Sequence, residues 1–307
     1  MAVSENLSEP GDARGGRLPD PRAVLTLLKP VTWFPPMWAY FCGVVSTGAA
    51  FGAHWEQILL GVLLAGPLVC GMSQAANDWC DRHVDAINEP HRPIPSGRVP
   101  GRWGLWIALV WTALSLALGW ALGPWAFGAT ALAVLAAWAY SAEPIRLKRN
   151  GWWSAGVCGL SYETLPWITG AAVVTAAAPD PKIFAIAILY GLGAHGIMTL
   201  NDFKSVEGDV RFGLGSLPAR LGVARAARVA CWAMAVPQAV VVALLWLWDT
   251  PWNAAIVAVL LLGQLALMRR LMTDPKALAP WFNGTGVVLY VLGMLTSACA
   301  LHLIGRG

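Results

Sequence analysis

Apolar residues gather in stretches of roughly twenty that recur along the chain, near residues 31–52, 57–77, 104–121, 124–140, 155–176, 182–200, 226–248, 253–270 and 281–303. Each stretch can cross the hydrocarbon of a bilayer as a helix, which keeps its backbone hydrogen bonds internal. A membrane barrel would instead alternate polar and apolar residues strictly, and the chain does not. The pattern therefore predicts an all-α integral membrane protein built as a nine-transmembrane-helix bundle. Residues 25–303 make up the membrane domain, preceded by a polar tail at 1–24 and followed by a short one at 304–307. Through residue 29, Pro10, Gly11, Gly15, Gly16, Pro19 and Pro21 interrupt any helix, so most of this segment reads as a surface tail. It lacks the layout of a signal peptide.

Composition sharpens this picture. The chain is 57% hydrophobic and 12% charged, against roughly 45–50% apolar and roughly 25% charged in an average soluble domain. The net charge of +4 reflects where the cations lie. With the N-terminus on the cytoplasmic side, the tail, the helix ends and the connections near 78–103, 141–154, 201–225 and 271–280 hold all of the 21 Lys and Arg residues except Lys182 and Arg306. That is the positive-inside pattern, and no nucleic-acid-binding signature remains. Cys42, Cys70, Cys80, Cys158, Cys231 and Cys299 have no metal-ligand spacing and read as packing residues.

Two acidic passages stand at helix ends on the cytoplasmic side. NDWCDRHVDAINEPHRPIPSGR, residues 77–98, puts Asn77, Asp81 and Asp85 four residues apart, on one slowly turning stripe if the helix continues. Asp78 and Asp85, seven apart, also share a face. Oxygen donors crowded in this way suit Mg²⁺. Pro90, Pro93 and Pro95 end the helix and present Arg92 and Arg98 on a restrained loop, where guanidinium groups can hold phosphate. The plain alternative is a solvated charged loop.

NDFKSVEGDVRFGLGSLPARLG, residues 201–222, weakens that alternative by repeating the chemistry on the same side. Asp202 and Asp209 lie seven apart with Glu207 between them, and Lys204 and Arg211 can neutralise a phosphate. Two such sites facing each other would bind an anionic diphosphate through Mg²⁺. A third connection, YSAEPIRLKRNGWW at 140–153, adds Arg146, Lys148 and Arg149 to hold the diphosphate, or only to anchor the membrane edge. Tyr140 can line an allylic pocket or simply pack. Glu163 and His195 are ionisable groups inside apolar stretches, and each reads either as a substrate contact or as part of a structural polar network.

These residues resemble the UbiA superfamily of intramembrane prenyltransferases. Asn77, Asp81 and Asp85 match its N-x-x-x-D-x-x-x-D pattern, and Asp202 with Asp209 match the outer acids of its second motif; Ser205 stands where some relatives have another Asp. NDWCDRHVDAINEPHRPIPSG, YSAEPIRLKRNGWW, NDFKSVEGD and LPWITG at 165–170 look like segments of the chlorophyll and bacteriochlorophyll synthase branch, in the form found in purple photosynthetic bacteria. The resemblance spans about residues 25–303. It implies a UbiA-like bundle, Mg²⁺ held by Asn77, Asp78, Asp81, Asp85, Asp202, Glu207 and Asp209, and a cytoplasmic polar cap over a lipid-embedded acceptor pocket. It further implies geranylgeranyl or phytyl diphosphate as donor, bacteriochlorophyllide a as acceptor and membrane lipid as surroundings. The expected location is the cell inner membrane or an intracytoplasmic photosynthetic membrane, with contacts to other pigment-biosynthesis or photosystem-assembly proteins. A prenyltransferase with a quinone precursor or other aromatic acceptor, a transporter and a pigment-assembly protein are the competing readings.

Overall fold

A computed structural model of the protein describes residues 18–211 and 213–305. Residues 1–17 of the expected N-terminal tail, and Arg306 and Gly307 of the C-terminal one, lie outside the described residues. In chain order the helices are α1 (Pro21–Leu28), α2 (Phe34–Thr47), α3 (Trp55–Asn88), α4 (Trp103–Ala121), α5 (Pro124–Ser141), α6 (residues 151–175) and α7 (Pro181–Asn201). They continue with α8 (Val206–Arg211), α9 (Leu217–Leu221), α10 (Val223–Leu247), α11 (Pro251–Leu271), α12 (Pro275–Asn283) and α13 (Gly286–Ile304). Among the described residues there is no sheet, only one isolated bridge between Asn150 and Gly215.

Length and apolarity qualify six helical runs to cross a membrane: α3, α4, α10 and α11 alone, α7 with its continuation to Arg211, and α12 with α13 as Pro275–Ile304. The nine apolar stretches each meet a helix, yet three of those helices fall outside this set. The first stretch is helical for only 14 residues, because α2 starts after a Pro30–Thr32 turn and ends at Gly48 in a left-handed conformation. The others are α5 and α6. A second correction concerns the polar N-terminal stretch, which contains α1. Asp20 caps that helix by accepting from the Arg22 amide, Pro21 opens it, and Ala23, Leu27 and Leu28 are buried against Met72, Ala75 and Ala76 of α3.

Two helices carry a π turn, at Leu64–Cys70 in α3 and at Leu160–Thr164 in α6. The main core joins α2, α6, α7, α10, α11 and α13 around Trp167, Tyr190 and Tyr290. Trp167 stacks on Tyr190 with centroids 5.7 Å apart, and its indole donates to Ser46 Oγ at 3.0 Å. Glycine sets the closest approach: a Cβ on Gly43 of α2 would run into the Trp167 carbonyl of α6, and one on Gly170 of α6 into the Tyr40 carbonyl of α2. These paired positions let two backbones touch. At 34 residues α3 is about 50 Å long, against a hydrocarbon core of about 30 Å, so its polar final turns from Asn77 onward stand clear of the bilayer interior.

Candidate active site

The cap is assembled from helix ends by charge. On the last three turns of α3, Asp78 is buried and takes Lys29 Nζ at 2.8 Å and Arg92 Nη1 at 3.4 Å. Arg92 also reaches Asp85 at 2.8 Å and Glu89. One guanidinium on the Pro-rich loop thus spans two of the carboxylates that sequence placed on one face. Asp81 turns toward the next connection, to Arg146 Nη2 at 3.0 Å and Lys148 Nζ at 2.5 Å. Asn77 donates to Ser141 Oγ at 3.2 Å, tying the end of α3 to the end of α5.

The second motif folds differently. α7 tightens into a short turn at Asp202–Ser205 and then re-forms as α8. Asp209 is buried and accepts from Ser205 Oγ at 3.1 Å and Ser216 Oγ at 2.6 Å. The position at which the second motif departs from an acid therefore orients the acid that follows it. Asp202 lies within electrostatic reach of Asp209, Tyr140 and Cys158. The basic 142–150 connection joins the two motifs: its Arg146 and Lys148 hold Asp81, while Gly151 donates to the Gly215 carbonyl at 2.7 Å and Gly215 to the Arg149 carbonyl at 3.2 Å.

Several residues singled out by sequence stand apart. Glu207 is two positions from Asp209 on α8, so it faces the other way; it is exposed and pairs with Lys276. Arg149 is exposed and pairs with Glu143 at 2.6 Å. Lys204 is exposed yet within electrostatic reach of Asp202, whose charged form it favours, and Arg211 is exposed on α8. Glu163 is buried inside the bundle with Oε2 lacking a hydrogen-bond partner. His195 lies against Trp152 with ring centroids 5.6 Å apart, its Nδ1 likewise without a partner. Neither lines the cavity described next, although Ser161, Tyr162 and Met198 beside them do.

Beneath the cap an apolar cavity runs down between α2, α3, α5 and α6, with Met198 of α7 closing part of its wall. Asn77 and Tyr140 stand at its upper end, and both π turns supply wall residues, Val69 from one and Ser161 and Tyr162 from the other. Tyr140 shares a hydrogen bond with Ser154 at 3.1 Å, and Gln74 donates to the Tyr162 hydroxyl at 3.0 Å. Sequence reading passed over Lys29, Ser141, Ser216 and Gln74. Lys29 looks like one more membrane-edge cation, and a lone serine or glutamine carries no spacing signal.

The donor set suits a hard divalent cation. Among the described residues no three His, Cys, Asp or Glu side chains are grouped so as to hold a metal ion by themselves, but Mg²⁺ ordinarily takes one or two carboxylates together with substrate phosphates. Asp78 Oδ2 is buried without a partner. Burial first, and then the charge of Asp209, push Asp202 up to about 7. Burial also raises Asp85 to about 6 against the pull of Arg92, and burial lowers Lys148 although Asp81 opposes it. Carboxylates held this far up relax when a cation joins them.

Fold and site define a multi-span, all-α membrane protein in which an apolar cavity lies under a cap of carboxylates and cations. The UbiA prenyltransferase family pattern matches residues 33–301. The chain belongs to that family. It is 62% identical over 285 residues to the bacteriochlorophyll synthase 33 kDa chain of Cereibacter sphaeroides, covering 93% of this chain and 94% of that one. To the bacteriochlorophyll synthase 33 kDa chain of Rhodobacter capsulatus it is 60% identical over 288 residues, covering 93% and 95%. A UbiA homolog from Archaeoglobus fulgidus bound to GPP and Mg²⁺ superposes with a TM-score of 0.71 at 21% identity, over 89% of this chain and 99% of that one, which shows a shared fold.

Proposed function

We propose that the chain esterifies the propionate of bacteriochlorophyllide a with geranylgeranyl or phytyl diphosphate and releases diphosphate. The observation that carries this reading is the cap of opposed carboxylates and cations directly above an apolar cavity, in a chain about 60% identical along nearly its whole length to two bacteriochlorophyll synthase chains. Asp81, Asp85, Asp202 and Asp209 would hold Mg²⁺ with the diphosphate, Asn77 and Asp78 beside them; the exposed Glu207 is the weakest member of the expected set. Bound there, Mg²⁺ would neutralise diphosphate charge and draw electron density from the leaving oxygen.

The remaining work falls to the chain. Arg92, Arg146 and Lys148 already lean over the acids and can pass to phosphate oxygens as charge builds on the departing group. The cavity shields the developing allylic cation from water, and the Tyr140 ring can face it. A propionate oxygen then attacks the first prenyl carbon as the bond from that carbon to the diphosphate oxygen breaks. The acceptor is a carboxylate near neutral pH, so no protein nucleophile or general base is needed. Oxygen labelling tests the step in the reconstituted protein. With both propionate oxygens of the acceptor labelled, the ester keeps both and the diphosphate gains none; label leaving the acceptor would require an activated-acyl route instead.

Contacts within the cap also support nine membrane crossings, and the catalytic unit expected at 25–303 extends back to Pro21, since Ala23 of α1 is packed on α3. The Lys29–Asp78 pair places the start of α2 beside the end of α3, so α2 must descend for α3 to return. The Asn77–Ser141 bond requires α5 to return what α4 carries down, and the Asn150–Gly215 bridge does the same for α6 and α7. With the cap cytoplasmic, as the cation distribution favours, reporters inserted after residues 90, 150 and 215 all read cytoplasmic. An external signal at any of the three breaks the shared site. The corresponding location is the inner or intracytoplasmic photosynthetic membrane.

A further inference from the structure

The cavity continues below the level reached by the cap. Ala65, Val69, Ala133 and Ser161 line both the upper cavity and a smaller, deeper one, so the two are one passage. Depth increases consistently on each wall: from Asn77 to Gly61 on α3, from Tyr140 to Ala129 on α5, and from Val157 to Thr169 on α6. At a rise of about 1.5 Å per residue, the wall lengths from α5 and α3 bracket a depth of roughly 16–24 Å. An all-trans carbon chain advances about 1.25 Å per bond of about 1.5 Å, so the main chain of a geranylgeranyl group extends about 19 Å. The passage and the twenty-carbon group match in length.

What ends the passage is Tyr40, which is fully buried and lines the deep end. Three contacts hold it. Its hydroxyl donates to the Gln57 carbonyl at 2.9 Å, its ring lies on Gly61 where any Cβ would collide with it, and its backbone carbonyl lies against Gly170. Tyr40 itself belongs to a small apolar cluster with Val44, Ala65 and Val174, on which Ile58 and Val62 pack. A side chain fixed on three sides at the deep end of an apolar passage, with apolar residues packed around it, is a length stop. We infer that Tyr40, seated on Gly61, is the specificity-determining floor of the prenyl pocket and sets the longest donor the protein accepts. This rests on the esterification reading for its assay.

Competition between donors measures it, because ratios within one sample cancel any loss of folded protein. The purified chain in liposomes receives bacteriochlorophyllide a with equal farnesyl, geranylgeranyl and geranylfarnesyl diphosphates. Tyr40→Ala raises the ratio of twenty-five-carbon to twenty-carbon ester at least about tenfold, the order expected when a few methylene groups gain apolar cover. Ala129→Leu, which fills only the deep end, raises the fifteen- to twenty-carbon ratio by a similar factor. The inference is overturned if Ala129→Leu leaves its ratio within about twofold of the parent, or if a Tyr40→Ala protein that still makes ester does so. Should the parent make no ester from any donor, the acceptor reading fails by itself. The same ratios taken from competitive binding of the labelled diphosphates then decide for or against the floor.

Discussion

Asp202→Asn removes nearly all ester formation, by about a thousandfold or more, which corresponds to about 4 kcal/mol of lost transition-state stabilisation. The substitution nearly preserves volume but deletes one of two facing carboxylates in the second motif. Asp81→Asn acts similarly from the first motif, and it also releases Arg146 and Lys148 from their ion pairs. Both proteins remain folded in detergent, so the loss appears in turnover and in Mg²⁺-dependent binding of prenyl diphosphate. The unmutated protein adds a pH signature. Asp202 sits at about 7, so it is charged and available to the metal above that pH and protonated below it, and the half-saturating Mg²⁺ concentration rises as pH falls through about 7. In Asp202→Asn that rise is largely lost. Near-normal turnover in both variants would defeat the proposed metal role.

Gly170→Val and Gly43→Val each destabilise the bundle by about 3 kcal/mol or more, at the upper end of overpacking effects. The reason is that each new side chain meets a backbone carbonyl of the facing helix, which has no rotamer to change. Forcing α2 and α6 apart also shifts Trp167 from Ser46 and from the Tyr190 ring. Thermal unfolding in detergent reads this as a Tm lowered by several degrees. Gly128→Ala is the contrast: a Cβ there meets nothing within 4 Å, and the helix gains up to about 1 kcal/mol of backbone entropy. Equal Tm values for Gly170→Val and Gly128→Ala would mean that the crossing is looser than the contacts indicate.

The helices were legible because a bilayer tolerates so few backbone solutions, and the acidic passages because carboxylates at the ends of apolar helices are conspicuous. What the reading of the sequence lacked was the third dimension of each motif. Glu207 looked like a ligand by proximity to Asp209, yet two residues along a helix point nearly opposite ways, and only knowledge of α8 separates them. Lys29 and Arg92 come from different connections to the same Asp78, a convergence that no local spacing records. The helix α1 did have a local signal, Asp20 followed by Pro21 at its first turn, but the surrounding glycines and prolines outweighed it. LPWITG, useful as a family signature, serves two purposes in space: Leu165, Pro166 and Thr169 line the deep cavity while Trp167 and Gly170 pack on α2.

The π turn at Leu64–Cys70 has a consequence for how this protein can vary. A π turn accommodates one residue more than the α-helix around it, and each residue in an α-helix rotates the chain by about 100°. The lower half of α3 is fixed where Gly61 meets Tyr40, and the upper half carries Asp78, Asp81 and Asp85. Removing a single residue from the turn would restore a regular helix and swing those acids about 100° away from Arg92, Arg146 and Lys148. The surplus residue therefore keys the acids to the passage below them. Side chains on this helix are free to change where packing allows, but its length is not, and insertions or deletions should be confined to the connections.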